Sequence, residues 1–222
     1  MNRRRYNKLR RNNSRIKEAI FSHVESNLRE YIIFTVIFLI GIIVGVIFIN
    51  NVSENQGLEI TNYITSFVSS LKENNEINDF VLLKDSIKKN VVLATILWFM
   101  GSTVIGISIV YLIVAFRGFC LGYTISSMIA TFGLWKGILF ILSTIFLQYI
   151  IFIPCIIALS VSGMRLHNSI MKDRRKENIK LEVLRHTVLC AFILVFMIIS
   201  SFIEVFVSKN ILINIVKFAK KW

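Results

Sequence analysis

The chain has 222 residues, 55% of them hydrophobic, with a single proline, 18 phenylalanines and a formal net charge of +13. Its uninterrupted apolar runs exclude an ordinary soluble domain, because a stretch of about 20 apolar residues is what a helix needs to cross a bilayer core of roughly 30 Å. The basic excess flanks these runs, as it does in membrane proteins, so anionic lipid headgroups are the expected counter-charges and no nucleic-acid partner is expected.

Residues 1–30 hold nine Lys/Arg and read as a cytoplasmic basic tail. Residues 31–49 are the first span, which reads as uncleaved: "NNVSENQ" behind it lacks the small-residue site of a signal peptide. Residues 50–90 form an external segment with six of the chain's 13 acidic residues. Within it, Ile60, Tyr63, Ile64, Phe67, Val68 and Leu71 recur at helical spacing, and Ile77, Phe80, Val81 and Ile87 repeat the pattern less cleanly. Two short amphipathic helices follow, lying on the outer leaflet or on the bundle, or docking a partner through Tyr63 and Phe67.

Residues 91–208 form the rest of an all-α, polytopic membrane bundle, with four further spans and about five in all. The second runs from about Val91 to Ala115. The next 20 residues, Phe116 to Trp135, are just long enough to cross, and Arg117 at their start reaches the headgroups from the inner end. A re-entrant hairpin is the alternative for this stretch. Crossing is preferred because it leaves the seven Lys/Arg of residues 162–186 in a cytoplasmic loop. The fourth span is about Gly137 to Val161 and the fifth about Thr187 to Ser208. Residues 209–222 form a basic amphipathic end. The expected location is the cell membrane, multi-pass, with the N-terminus cytoplasmic and the C-terminus external.

Nothing in the sequence marks an enzyme. No P-loop, H-E-x-x-H or G-x-S-x-G occurs. His23, His167 and His186 lack a second ligand at metal spacing, and Cys120, Cys155 and Cys190 read as packing residues. No catalytic residue, cofactor or metal is expected. Glu204 is a carboxylate inside an apolar run, assigned an interfacial or bundle-facing role near Lys209 or Lys136; a relay would need a second buried partner, and none is evident. Gly41-x-x-x-Gly45, Gly118-x-x-x-Gly122 and Gly133-x-x-x-Gly137 have the spacing that lets helix backbones approach in lipid. Packing within the bundle is favoured over a homo-oligomer, which stays possible. Pro154 should bend the fourth span, and Gln148 needs a polar partner inside the bundle.

The stretch Phe116-Arg117-Gly118-Phe119 with Leu121-Gly122, then Gly133 to Gly137, Gln148, Pro154 and Ser162-Gly163, resembles the stage II sporulation protein M family. That resemblance implies a non-enzymatic membrane scaffold of the endospore engulfment complex. It also implies two peptidoglycan-degrading partners, stage II sporulation proteins D and P. A transporter, or the membrane subunit of one, is the rival reading.

Overall fold

A computed structural model describes residues 24–72, 79–103, 105–144, 146–172 and 176–208. All elements among them are helical: α1 (Leu28–Asn50), α2 (Glu54–Lys72), α3 (Asp79–Gly101), α4 (Gly106–Phe132), α5 (Leu134–Thr144), α6 (Phe146–Lys172) and α7 (Lys176–Phe202), which ends in a π-helical segment, Ile203–Ser208. Four stretches are long and apolar enough to cross a membrane: Leu28–Asn50, Gly106–Phe132, Gln148–Met171 and Ile179–Val207. Helix α3 is equally extended, but its first half carries Lys84, Asp85, Lys88 and Lys89.

Side-chain pairs across the interfaces fix the directions. Phe34 stacks on Tyr111 at 4.8 Å and Phe48 meets Tyr123 at 6.3 Å, so α1 and α4 are parallel. Trp98, near the end of α3, donates to the Thr187 hydroxyl in the first half of α7 at 3.1 Å, while Ser86, in the first half of α3, meets Glu204 in the π segment that ends α7, so these two are antiparallel. Helix α6 runs antiparallel to α7, with Ser162 against His186 at 2.8 Å and Gln148 against Glu204 at 2.8 Å. The long helices therefore alternate in direction along the chain: α1, α3, α4, α6, α7. The end of the bundle at which α1 finishes is called the upper end below.

The α1–α4 interface is built on glycine. A Cβ on Gly41 would strike the Ala115 carbonyl, and one on Gly45 the Phe119 carbonyl. In return, a Cβ on Gly118 would strike the Phe38 carbonyl and one on Gly122 that of Ile42. Four glycines interlocked in this way bring two backbones into contact, which is how helices gain dispersion energy in lipid, where burial of apolar surface drives little. Beside this seam Phe34, Val110, Val114, Ile156, Leu159 and Met197 are fully buried, so the centre of the bundle lies between α1, α3, α4, α6 and α7.

The helix boundaries differ from those expected. The break predicted at Phe116 lies at residues 102–105. There Ser102 and Thr103 turn their hydroxyls back onto the Trp98 and Met100 carbonyls, and the Thr103 oxygen accepts the Gly106 amide at 3.1 Å. Such local bonds offer the backbone an alternative to the helical ladder and end it. Arg117 is thus near the middle of α4 and not at the inner end of a span. The second amphipathic segment is the start of α3, continuous with the expected second span.

The expected loop 162–186 is mostly helical, since α6 runs to Lys172 and α7 starts at Lys176; residues 173–175 lie outside the described residues. Gly133, at φ 81°, ends α4, and α5 folds back beside it with Phe132 stacked on Phe140. The expected fourth span is therefore divided between α5 and α6. Helix α6 continues through Pro154. The tails 1–23 and 209–222 lie outside the described residues.

Candidate functional site: a polar cavity in the upper half of the bundle

The buried face of α3 is Ser86, Asn90, Leu93, Ala94, Leu97 and Gly101, polar toward the upper end and apolar below. Helical spacing aims Ser86 and Asn90 at the same neighbour, α7. Asn90 donates to the Ser201 hydroxyl at 2.8 Å and to the Met197 carbonyl at 3.2 Å. Ser200, fully buried, donates to the Gln148 backbone carbonyl at 3.2 Å. These bonds tie α3 and α6 to α7 just below Glu204, which the π segment carries. Single-turn π segments are rare and are found often at functional sites.

Glu204 receives two donors on one oxygen. The Ser86 hydroxyl and the Gln148 side-chain amide, the latter at 2.8 Å, both bond its Oε2. A carboxylate in an apolar bundle is costly without such partners. Arg117 reaches the same place from α4, with its guanidinium carbon 5.5 Å from the centre of the Phe152 ring. Stacking of this kind contributes about 0.5–2 kcal/mol, depending on desolvation. Among the described residues the ion pairs are Lys89–Asp85 at 2.6 Å, Arg165–Glu182 at 3.4 Å and Arg185–Glu182 at 2.7 Å, and neither Arg117 nor Glu204 takes part in one.

Between these groups lies a cavity of about 290 Å³, lined by Arg117, Glu204, Gln148, Ser86, Asn90 and the aromatic pair Tyr149 and Phe152, among others. Lys89 and Asp85 line it too, and their side chains are 71% and 55% exposed, so the cavity opens at their side of α3.

The structure brings together three residues singled out from the sequence, Arg117, Gln148 and Glu204. Among the described residues the partners of Glu204 are Ser86 and Gln148 and not Lys136, while Lys209 lies outside the described residues. Gly118 and Gly122 stand apart from the cavity, against α1. Pro154 is exposed on the outer side of α6, and Tyr63 is 76% exposed on α2; the Phe67 side chain lies outside the described residues. Ser86 and Asn90 went unrecognised in the sequence. Their signal was a four-residue spacing on the polar half of an otherwise apolar face.

A second buried polar pair lies in the lower half. His186, expected in a loop, is 2% exposed and its Nδ1 is 2.8 Å from the Ser162 hydroxyl. It sits where α3 and α6 touch through Gly101 and Gly163: a Cβ on Gly101 would come within 2.9 Å of the Gly163 Cα. Among the described residues no group of three His, Cys, Asp or Glu side chains is placed to hold a metal ion.

This architecture defines an all-α membrane helix bundle with a charged cavity enclosed by four of its elements. The chain belongs to the stage II sporulation protein M family, whose family model matches residues 34–209, from the first turns of α1 to the end of the π segment. It is accordingly a sporulation-related membrane protein. No curated protein and no solved structure matches the chain.

Proposed function

We propose that the protein is a non-enzymatic scaffold of the endospore engulfment complex. It is a multi-pass protein of the cell membrane, with its upper end external and its N-terminus cytoplasmic. There it gathers two peptidoglycan-degrading partners, stage II sporulation proteins D and P. The observation that carries this reading is the family match over the whole helix bundle. Helix α2 supports it further: it follows α1 at the upper end, is anchored by buried Ile64, and presents Tyr63 to solvent. The test is co-purification from sporulating cells. Tagged full-length protein should bring down both hydrolases, and a Tyr63→Ala form should bring down less while its membrane level holds. Absence of both hydrolases from the wild-type eluate overturns the reading.

The cavity favours a second reading, as a transporter or its membrane subunit, because charged groups within a membrane bundle commonly line substrate pathways. Uptake by the purified protein in sealed vesicles, lost in Glu204→Gln, would establish it.

A further inference from the structure

Two features of the cavity are unused by the scaffold role. The first is the half-buried Arg117 guanidinium of α4, which forms no hydrogen bond or ion pair with the described residues and stands over the Phe152 ring. The second is the cavity-lining carboxylate of Glu204, whose two donors, Ser86 and Gln148, share Oε2, so that Oε1 has no hydrogen-bond partner among the described residues. Opposite charges therefore stand on two walls of one space without neutralising each other. The pair at the mouth, Lys89 and Asp85, is already matched at 2.6 Å and adds no net charge.

We propose that this cavity binds a small zwitterionic group, an oxyanion carried close to an ammonium. Arg117 takes the oxyanion through its planar fork of donors, and Glu204 Oε1 takes the ammonium. A plain anion would meet the Glu204 carboxylate, and a plain cation would meet Arg117. A ligand with both charges satisfies both walls at once. Size points the same way, because about 290 Å³ is at the low end for small-molecule sites and suits a head group rather than a bulky solute.

Two sources supply such a group. One is the phosphoethanolamine head of a membrane lipid, since the exposed lysines of α3 mark the edge of the apolar belt beside the opening. The other is a soluble zwitterion entering from the aqueous side. The chemistry is shared, and the experiment separates the two.

Full-length protein is purified in detergent, and native mass spectrometry follows its retention of phosphatidylethanolamine against phosphatidylglycerol. Calorimetry with free phosphoethanolamine is the second arm. The expected result is a preference of at least about tenfold for the zwitterionic lipid, or saturable binding of the free head group. Lipid retention without head-group binding assigns the site to lipid; head-group binding assigns it to a solute. In either case Arg117→Gln and Glu204→Gln abolish the effect, and Arg117→Lys keeps part of it. Leu82, on α3, also lines the cavity, and Leu82→Trp adds bulk there while leaving both charged residues in place, so it tests the proposal even where a charge variant fails to fold. The proposal is overturned if neither ligand binds selectively, or if binding persists unchanged in folded Leu82→Trp protein.

Discussion

Gly122→Leu attacks the tightest of the four glycine contacts between α1 and α4. A Cβ at this position would lie 2.8 Å from the Ile42 carbonyl carbon and 2.9 Å from its Cα, with the carbonyl oxygen closer still. These are backbone atoms of α1, so no rotamer change relieves the clash. Ordinary carbon contacts stand at about 3.5–4.0 Å. The Cβ alone therefore forces the helices apart by roughly 1 Å, and the three further carbons of leucine require more. Separation also loosens the reciprocal contacts at Gly41, Gly45 and Gly118 and the Phe48–Phe119 edge contact at 5.7 Å. Overpacking of a tight interface costs about 1–3 kcal/mol, occasionally more. Even 2 kcal/mol lowers the folded-to-unfolded ratio by roughly 30-fold. The assay is the membrane level of the full-length protein, with its thermal unfolding in detergent. Gly57→Leu is the matched control, because nothing lies within 4 Å of a Cβ there. Gly122→Leu should lose folded protein and Gly57→Leu should not. Equal accumulation and equal melting of the two variants would refute the backbone-contact argument.

Asn90→Ala removes two bonds between α3 and α7, and should destabilise the detergent-solubilised protein by about 0.6–1.7 kcal/mol per bond at most; a wild-type melting curve would show that α3 is not held this way. Ser86→Ala leaves Glu204 with Gln148 as its remaining donor among the described residues, so it should be milder than Gln148→Leu combined with Ser86→Ala, and additive losses would count against a shared carboxylate acceptor. In a background lacking Cys120, Cys155 and Cys190, a cysteine at Asn55 should react with an impermeant thiol reagent on intact cells and one at Lys180 should not; the reverse pattern would invert the proposed orientation. Gly101→Leu should perturb the lower half, where its Cβ meets the Gly163 Cα, and normal folding of that variant would remove the case for a close α3–α6 approach.

Class and membrane character were legible in the sequence, because an apolar helix declares itself by length and composition without reference to neighbours. The first span illustrates this: residues 31–49 lie wholly within α1. The glycine spacing was legible for the same reason, since four-residue intervals put Gly41 and Gly45, and Gly118 and Gly122, on single faces. Helix ends were less so. Two adjoining apolar runs offer no contrast in hydropathy, and the break between α3 and α4 depends on hydroxyl groups competing for backbone carbonyls at Ser102 and Thr103.

The cavity belonged to tertiary structure alone. Arg117, Gln148 and Glu204 could each be marked as polar groups in need of a partner, but Ser86 and Glu204 are 118 positions apart and Gln148 and Glu204 are 56 apart. No local periodicity links residues so distant. Antiparallel packing of α3 and α6 against α7 brings them to one level, and only that packing decides that the Glu204 carboxylate has Ser86 and Gln148 as donors and a guanidinium lining the same cavity.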